Sequence, residues 1–218
     1  MDGMAGNDHA ASPLISTPDV SGMPQRRLAE RKAMLRKDLV AARVSMSVSD
    51  RQAAGRALRD TLLGLPETGM AGTIAAYLSV GTEPETAGLV FALWKRGSYV
   101  LLPVMLADND LDWASYEGPD SLAAAPRGLL EPTEPPRGPA AVTSADLVIV
   151  PALAVDRGGR RLGRGGGSYD RALARVGAAV PTVALIYDGE LLDEVPAGRR
   201  DQRVRMVARP GEGITRLR

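Results

Sequence analysis

Residues 146–173 read DLVIVPALAVDRGGRRLGRGGGSYDRAL, and this segment is the most informative part of the sequence about the fold. An apolar run, Asp146–Val150, comes first, and six glycines follow before a helical pattern begins at Tyr169. The run predicts a strand buried on both faces, as in a parallel sheet. Glycines permit positive φ angles and let backbone N–H groups approach an anion closely. A strand, a glycine-rich loop and a helix N-terminus in this order favour a phosphate-binding turn.

Helical and strand-like segments alternate along the rest of the chain. Helices are predicted from Gln25, from Ser49, over Pro84–Arg96 and over Tyr169–Val176. Buried strands are predicted at Thr73–Leu78, Tyr99–Pro103, Leu111–Tyr116, Asp146–Val150, Thr182–Tyr187 and Val204–Val207. The alternation predicts an α/β fold, a single three-layer domain with a mostly parallel sheet flanked by helices, Rossmann-like. Ligands of such sheets bind beyond the carboxyl ends of the strands.

Three local features refine this prediction. The first helix places its apolar residues on one face: Leu28, Leu35, Leu39 and Ala42. The second helix carries a capping-box pair, Ser49 and Gln52. Residues 117–143 repeat proline and glycine, which predicts a surface excursion.

The chain divides into a tail and one domain. Residues 1–24 are rich in Gly, Ala, Ser, Pro and Asp without apolar periodicity, which predicts a disordered N-terminal tail. Residues 25–218 form the predicted domain. The only histidine, His9, lies in the tail, so we expect it to be neither a metal ligand nor a general base.

Composition excludes several classes of protein. The 27 basic and 26 acidic residues leave a net charge of +1, which argues against a dedicated nucleic-acid binder. The chain has no cysteine, so disulfides and thiolate metal sites are excluded. No run approaches the roughly 18 apolar residues of a membrane span, and no signal peptide is recognisable. We expect a cytoplasmic protein that acts on small molecules.

The glycine loop differs from the two common phosphate-binding motifs. It lacks the Gly-Lys-Ser/Thr of a Walker A loop, and Gly163, Gly165 and Gly167 recur at every second residue, unlike the dinucleotide fingerprint. Arg161 and Arg164 supply charge suited to polyphosphate. The alternative is a flexible turn beside surface arginines.

The pattern from Pro151 to Arg171, Pro-x4-Asp-x2-Gly-x-Arg-Leu-Gly-x-Gly-x-Gly-x-Tyr-Asp-Arg, resembles the signature of the 5-formyltetrahydrofolate cyclo-ligases, also called methenyltetrahydrofolate synthetases. The resemblance runs from about Arg26 to the C-terminus. It includes the basic pair Lys32 and Arg36, the segment Tyr77-Leu78-Ser79 followed by Glu83, the pair Glu131-Pro132, and Asp201.

The resemblance implies an ATP-dependent ligase that converts 5-formyltetrahydrofolate into 5,10-methenyltetrahydrofolate. It implies catalytic roles for Lys32, Arg36, Arg164 and Tyr169, and substrate binding by Leu78, Glu83 and Tyr169. It implies Mg²⁺ ligands at Asp170 and Asp201. ATP binding is implied for Lys32, Arg36, Arg161, Leu162, Gly163, Arg164, Gly165, Gly166, Gly167, Ser168 and Tyr169.

Some positions depart from the family pattern. Ser168 stands where a tyrosine is usual, Val155 replaces a phenylalanine, and Arg200 and Arg205 replace a histidine and an acid. These departures motivate a second hypothesis, a catalytically silent homologue that binds nucleotide or folate. A third is an unrelated phosphate-binding regulatory domain. We expect a monomer or small homo-oligomer. Trp113 fits the site border and the core equally well.

Overall fold

A computed structural model describes residues 25–217. The predicted tail, residues 1–24, lies outside the described residues. The main elements, in chain order, are α1 (Gln25–Ser45), α2 (Val48–Leu63), α3 (Pro66–Met70), β1 (Thr73–Ala75), α4 (Ala87–Lys95), β2 (Tyr99–Met105), β3 (Leu111–Ser115), β4 (Leu122–Ala125), β5 (Leu129–Pro132), β6 (Leu147–Pro151), β7 (Ala154–Asp156), β8 (Arg161–Leu162), α5 (Ser168–Arg175), β9 (Thr182–Leu185), β10 (Leu191–Leu192), β11 (Met206–Arg209) and β12 (Gly213–Arg216). Short 3₁₀ helices cover Pro119–Ser121, Pro126–Gly128 and Pro139–Ser144.

A seven-stranded sheet forms the centre of the protein, in the order β12-β11-β9-β6-β1-β2-β3. The five inner strands are mutually parallel, and the edge strands β3 and β12 are antiparallel to their neighbours. Strand β6, from the segment quoted first, is buried from Leu147 to Val150 because helices cover both faces of the sheet. The predicted α/β fold with a mostly parallel sheet is confirmed.

Two apolar clusters separate the sheet from its helices. Leucines of α2 and α4 pack on one face, and Ala172 and Leu173 of α5 pack on the other with the 3₁₀ helix Pro139–Ser144. Trp113 is fully buried in the second cluster, which assigns it to the core. The arrangement is a three-layer domain. Among residues 25–217, no helix combines the length and apolar character needed to cross a membrane.

Helix α1 packs outside these layers. Its Leu35 and Leu39 contact a small three-stranded sheet, in the order β10-β7-β8, through residues such as Leu153 and Leu162. Ala42, predicted to lie on the apolar face, is exposed. The neighbouring Arg43 is buried instead, so the inner face of α1 is partly polar.

Other differences are local. Helix α2 begins at Val48, and its N-cap is Ser47, whose side chain accepts from the Asp50 N–H at 3.0 Å, so the predicted Ser49–Gln52 capping box is wrong. The predicted excursion at 117–143 contains a hairpin, β4 and β5. Strand β8 lies inside the predicted glycine loop, and the last predicted strand is shifted to Met206–Arg209. Short strands have too few residues for an alternating pattern to show.

Arg43 anchors α1 through a buried ion pair. Its Nε and Nη2 donate to the two carboxylate oxygens of Glu190, each at 2.7 Å, and Nη2 also donates to the carbonyl of Ala152 at 2.7 Å. The Arg43 guanidinium lies 5.2 Å from the centre of the Tyr187 ring. Burial raises the pKa of Glu190, and the bonds from Arg43 oppose that shift. The two parallel hydrogen bonds from Arg43 to Glu190 form a fork, and this fork joins α1 to the loop after β9.

Breaking this pair should destabilise the protein. We expect Arg43→Met to lower the free energy of unfolding by about 3–5 kcal/mol, because the Glu190 carboxylate is left buried without its partner. The double variant Arg43→Met/Glu190→Gln should regain part of that loss, since no unpaired charge remains. Urea denaturation followed by circular dichroism measures both effects.

Arg26 provides the matched control on the same helix. Its side chain is 91% exposed and pairs with Glu30 at 3.0 Å, so Arg26→Met should change stability by less than about 1 kcal/mol. An equally small effect of Arg43→Met would show that the buried pair does not anchor α1.

Candidate active site

A cleft of about 1030 Å³ lies at the carboxyl ends of the parallel strands, the edge predicted for ligands. Leu78 and Glu83 reach it after β1, Pro103 and Met105 at the end of β2, and the glycine loop after β6. Helix α1 contributes to one wall and the β4–β5 hairpin to another. The residues that line the cleft therefore come from segments distant in sequence.

The cleft brings together every residue that the sequence analysis assigned to a site. These residues are Lys32, Arg36, Leu78, Glu83, Arg161, Leu162, Gly163, Arg164, Gly165, Gly166, Gly167, Ser168, Tyr169, Asp170 and Asp201.

The glycine loop follows β8 and ends at the N-terminus of α5. Gly165 has φ of 108°, and Gly167, the N-cap of α5, has φ of 70°. Arg36 reaches the loop from α1 and donates from Nε to the Gly163 carbonyl at 2.8 Å. A Cβ on Gly165 would lie 3.4 Å from the Arg36 guanidinium carbon. Glycine at this position thus permits both the left-handed backbone and the close approach of the arginine.

The two predicted metal ligands both line the cleft, and each is paired with a cation. Arg161 Nη2 lies 3.0 Å from Asp170 Oδ1, and Lys32 Nζ lies 2.6 Å from Asp201 Oδ2. The N–H of Gln202, next to Asp201, donates to Asp170 at 3.1 Å. Within residues 25–217, no cluster unites three or more histidine, cysteine or carboxylate side chains.

Glu83 and Arg164, assigned to different ligands, contact each other. Arg164 Nε lies 3.0 Å from Glu83 Oε1, and Arg164 Nη2 donates to the Val80 carbonyl at 2.8 Å. Glu83 Oε2 accepts from the Val80 N–H at 2.9 Å. The Glu83 side chain is 9% exposed and the Arg164 side chain 52%, so the carboxylate forms the fixed part of this pair.

Tyr169 lies between the glycine loop and the end of β1. Its ring contacts Tyr77 edge to face at 6.5 Å, and the Arg161 guanidinium lies 5.8 Å from its centre. Burial raises the pKa of the Tyr169 phenol, with the Glu83 carboxylate adding to the shift, so the hydroxyl stays neutral and able to donate.

Tyr77 is not among the predicted site residues, yet it also lines the cleft. It is 2% exposed, and no described group accepts a hydrogen bond from its hydroxyl. Burial raises its pKa as well. The available signal was its position, directly before Leu78 at the end of a buried strand.

The positions that depart from the family pattern separate in space. Ser168 and Arg200 line the cleft. Val155 is buried in β7. Arg205 is exposed and outside the cleft, and its N–H donates to Thr182 at the amino end of β9. The arrangement of Arg205 therefore gives it no contact with the two aspartates.

Comparison with known proteins supports the family that these site residues indicate. Residues 28–210 match the model of the 5-formyltetrahydrofolate cyclo-ligase family. The chain belongs to this family. A 5-formyltetrahydrofolate cyclo-ligase of Mycolicibacterium smegmatis is 42% identical over 194 residues, which cover 86% of this chain and 97% of the relative. That of Escherichia coli K12 is 28% identical and covers 78% of this chain and 95% of the relative.

A solved structure agrees with the fold of this cyclo-ligase family member. The NMR structure of the Aquifex aeolicus 5,10-methenyltetrahydrofolate synthetase is 26% identical, with a TM-score of 0.74, over 86% of this chain and 93% of the other. Membership in the family excludes the alternative of an unrelated phosphate-binding regulatory domain.

Gly165→Ala should reduce turnover more than its effect on stability explains. The methyl group must fit at a positive φ, at a cost of about 1–2 kcal/mol, and it would lie 3.4 Å from the Arg36 guanidinium carbon, within the loop that lines the cleft. Turnover and urea denaturation should be measured on the same preparation.

Gly97→Ala is the matched control, because Gly97 has φ of 90°, has open space around its Cβ position and lies outside the cleft. It should lose similar stability and keep its turnover. Equal turnover in the two variants would contradict the placement of the glycine loop in the site.

Proposed function

We propose that this chain catalyses the ATP-dependent conversion of 5-formyltetrahydrofolate to 5,10-methenyltetrahydrofolate, with release of ADP and phosphate. One observation carries the proposal. The residues that the resemblance assigns to the site come from four separate parts of the chain, and all of them line a single cleft at the carboxyl edge of the sheet.

The reaction requires activation of a poor electrophile. The N5-formyl group is amide-like, and its oxygen is a poor leaving group. In the route that the family resemblance implies, the formyl oxygen attacks the γ-phosphorus of ATP and ADP departs. N10 of the same folate then attacks the formyl carbon, and the former formyl oxygen leaves as phosphate. The reacting atoms all belong to the two substrates, so the protein needs no nucleophile, consistent with a chain that has no cysteine.

The protein's contribution is positioning and charge stabilisation, as in other phosphoryl transfers. We assign the binding of phosphate oxygens to the backbone N–H groups of Gly163–Gly167, which line the cleft. Lys32, Arg36, Arg161 and Arg164 line the same region and supply the positive charge that a transferred phosphoryl group requires. Tyr169, a neutral phenol at the junction of the loop and the strand end, is proposed to contact both substrates.

Asp170 and Asp201 fit a Mg²⁺ ion. Their carboxylates are hard oxygen ligands on neighbouring segments, and Mg²⁺ is commonly held by one or two carboxylates together with substrate phosphates. Lys32 and Arg161 hold the two side chains in the cleft. When bound, the ion would neutralise phosphate charge.

Glu83 is proposed to orient the reduced pterin by accepting hydrogen bonds from its N–H groups. The carboxylate is held by the Val80 N–H, which leaves Oε1 for a partner across the cleft. Arg164 occupies that position here, so pterin binding replaces or shares this contact. Leu78 packs against the core and lines the same cleft as an apolar side chain.

The alternative is a catalytically silent homologue. Ser168 and Arg200 motivate this alternative, because both depart from the family pattern and both line the cleft. A spectrophotometric assay of the conjugated methenyl product distinguishes the two. The enzyme should form product only when 5-formyltetrahydrofolate and ATP with Mg²⁺ are all present. Binding of ATP without product would favour the silent homologue. Cytoplasmic location and a monomer or small homo-oligomer stay predictions.

Glu83→Gln should mainly weaken folate binding. We expect the KM for 5-formyltetrahydrofolate to rise roughly tenfold or more, because one charged hydrogen bond is lost, while the KM for ATP changes by less than about twofold. Glu117→Gln, at an exposed position outside the cleft, is the control. An unchanged folate KM would count against this role for Glu83.

Asp170→Asn should raise the Mg²⁺ concentration that gives half-maximal turnover, because a neutral amide binds the ion more weakly than a carboxylate. Excess chelator should abolish turnover of the wild type. The exposed Asp60→Asn serves as control. The same Mg²⁺ dependence in Asp170→Asn and the wild type would exclude Asp170 as a ligand.

A further inference from the structure

Two residues with unusual backbone conformations meet at one end of the cleft. In the described part of the chain, the only non-glycine residues with positive φ are Asn109, at 62°, and Arg127, at 64°. Asn109 lies at the turn between β2 and β3, and Arg127 at the turn between β4 and β5. Both line the cleft, and Arg127 Nη1 donates to Asn109 Oδ1 at 2.9 Å. Left-handed backbone is costly for arginine, and such residues concentrate at functional sites.

The Arg127 guanidinium is available to an anion. Among residues 25–217, no carboxylate lies within ion-pair distance of Arg127, and the side chain is exposed. The nearby Asp110 accepts two bonds from Arg175, at 3.0 and 2.5 Å, and that contact lowers its pKa. Glu131 accepts from the Met105 N–H at 2.9 Å. The acidic groups of this end therefore have other partners.

Arg171 of α5 adds a second cation to this end of the cleft. Its Nη2 donates to the Asp108 carbonyl at 3.3 Å, and its Nε lies 3.5 Å from Asp110 without a hydrogen bond. The turn between β2 and β3 thus lies between two arginines that line the cleft.

An apolar surface joins this end to the proposed pterin position. Leu129 and Leu130 of β5 line the cleft with Met105 of β2, although the Leu130 side chain is 50% exposed. An exposed leucine in a cleft wall suits the face of an aromatic ring. The wall leads from the end of β2 to the tip of the hairpin.

The order of the strands in the sheet determines which segments flank the proposed pterin position on either side. Strand β1, which leads to Leu78 and Glu83, has β6 on one side and β2 on the other. Strand β6 leads to the glycine loop and the ATP site proposed above. Strand β2 leads through Met105 and the hairpin to Arg127. A folate whose pterin lies against Glu83 therefore has its remaining length directed toward Arg127.

We propose that Arg127, positioned by Asn109 and assisted by Arg171, binds the carboxylates of the glutamate tail of the folate substrate, with Leu129 and Leu130 against its aminobenzoyl ring. This assignment rests on the proposed function. It makes the hairpin tip a determinant of specificity, because tail carboxylates are the only strongly anionic groups on the folate.

The test compares three substrates: 5-formyltetrahydropteroate, which lacks glutamate, the monoglutamate and the triglutamate. Arg127→Gln keeps an unbranched polar side chain at the same position and removes the guanidinium group with its charge. It should lower kcat/KM for both glutamylated substrates by about two- to fivefold, as expected for one charged contact at an open site. The kcat/KM for 5-formyltetrahydropteroate and the KM for ATP should be unaffected. The loss should diminish at high salt, because the pair is exposed to solvent.

Two further variants separate binding from folding. Arg157→Gln removes an exposed arginine outside the cleft and should leave all three substrates unchanged. Asn109→Asp places a carboxylate beside Arg127 and should reproduce the selective loss.

The outcomes distinguish this inference from the proposed function. If the wild type converts none of the three substrates, the proposed function fails. If the wild type is active and Arg127→Gln treats all three substrates as the wild type does, the tail assignment is overturned. A loss confined to the KM for ATP would place the nucleotide at this end instead and would also overturn it.

Discussion

The buried ion pair between Arg43 and Glu190 anchors the helix that carries Lys32 and Arg36 to the cleft. Arg36 and Arg43 are seven residues apart, close to two helical turns, so both project from the same side of α1. Lys32 lies one further turn toward the amino end. Because the fork fixes the rotation of the helix about its axis, Lys32 and Arg36 are directed toward Asp201 and the glycine loop. Only two leucines of α1 join the adjoining apolar cluster, so this polar contact has an unusually large share in the docking of the helix.

The same principle extends through the cleft, where cations are matched with carboxylates from other segments. Lys32 pairs with Asp201, Arg161 with Asp170, and Arg164 with Glu83. Each pair links two parts of the chain and orients both side chains before any ligand is present. Concentrating this many arginines around one cavity without such partners would be unfavourable, because like charges repel at short range. A bound polyphosphate would replace the carboxylates as the partner of these cations, and a bound metal ion would replace the cations as the partner of these carboxylates. Neither ligand would meet unpaired charges.

Much of the fold could be predicted from the sequence because the inner strands are continuous apolar runs. Residues 147–150 and 182–187 are buried throughout, and the continuous apolar pattern alone indicates this. The glycine loop and its arginines could be recognised because a specific spacing serves a specific chemistry. The rest depends on contacts between distant residues. Burial of Arg43 requires a glutamate 147 positions away, and no local pattern indicates that an arginine will replace Ala42 as the buried residue. The β4–β5 hairpin is short and largely exposed, so its strands lack an alternating pattern. In the sequence, Tyr77 is not distinguishable from any other aromatic residue at the end of a strand. Only the structure shows that its hydroxyl lacks a hydrogen-bond partner among the described residues and that the residue lines the cleft.

The position of α1 in the chain has a consequence for how the protein is made. A ribosome synthesises α1 first among the described elements, but the groups that hold it come much later, at Gly163, Glu190 and Asp201. Contacts over such separations form slowly, because a long loop must close before they contribute. Arg43 and Lys32 of the nascent helix therefore lack their partners until residues 190 and 201 have emerged. A nascent chain that stops short of residue 190 can form the contact between Arg36 and Gly163, but it lacks both the partner of Arg43 and the partner of Lys32.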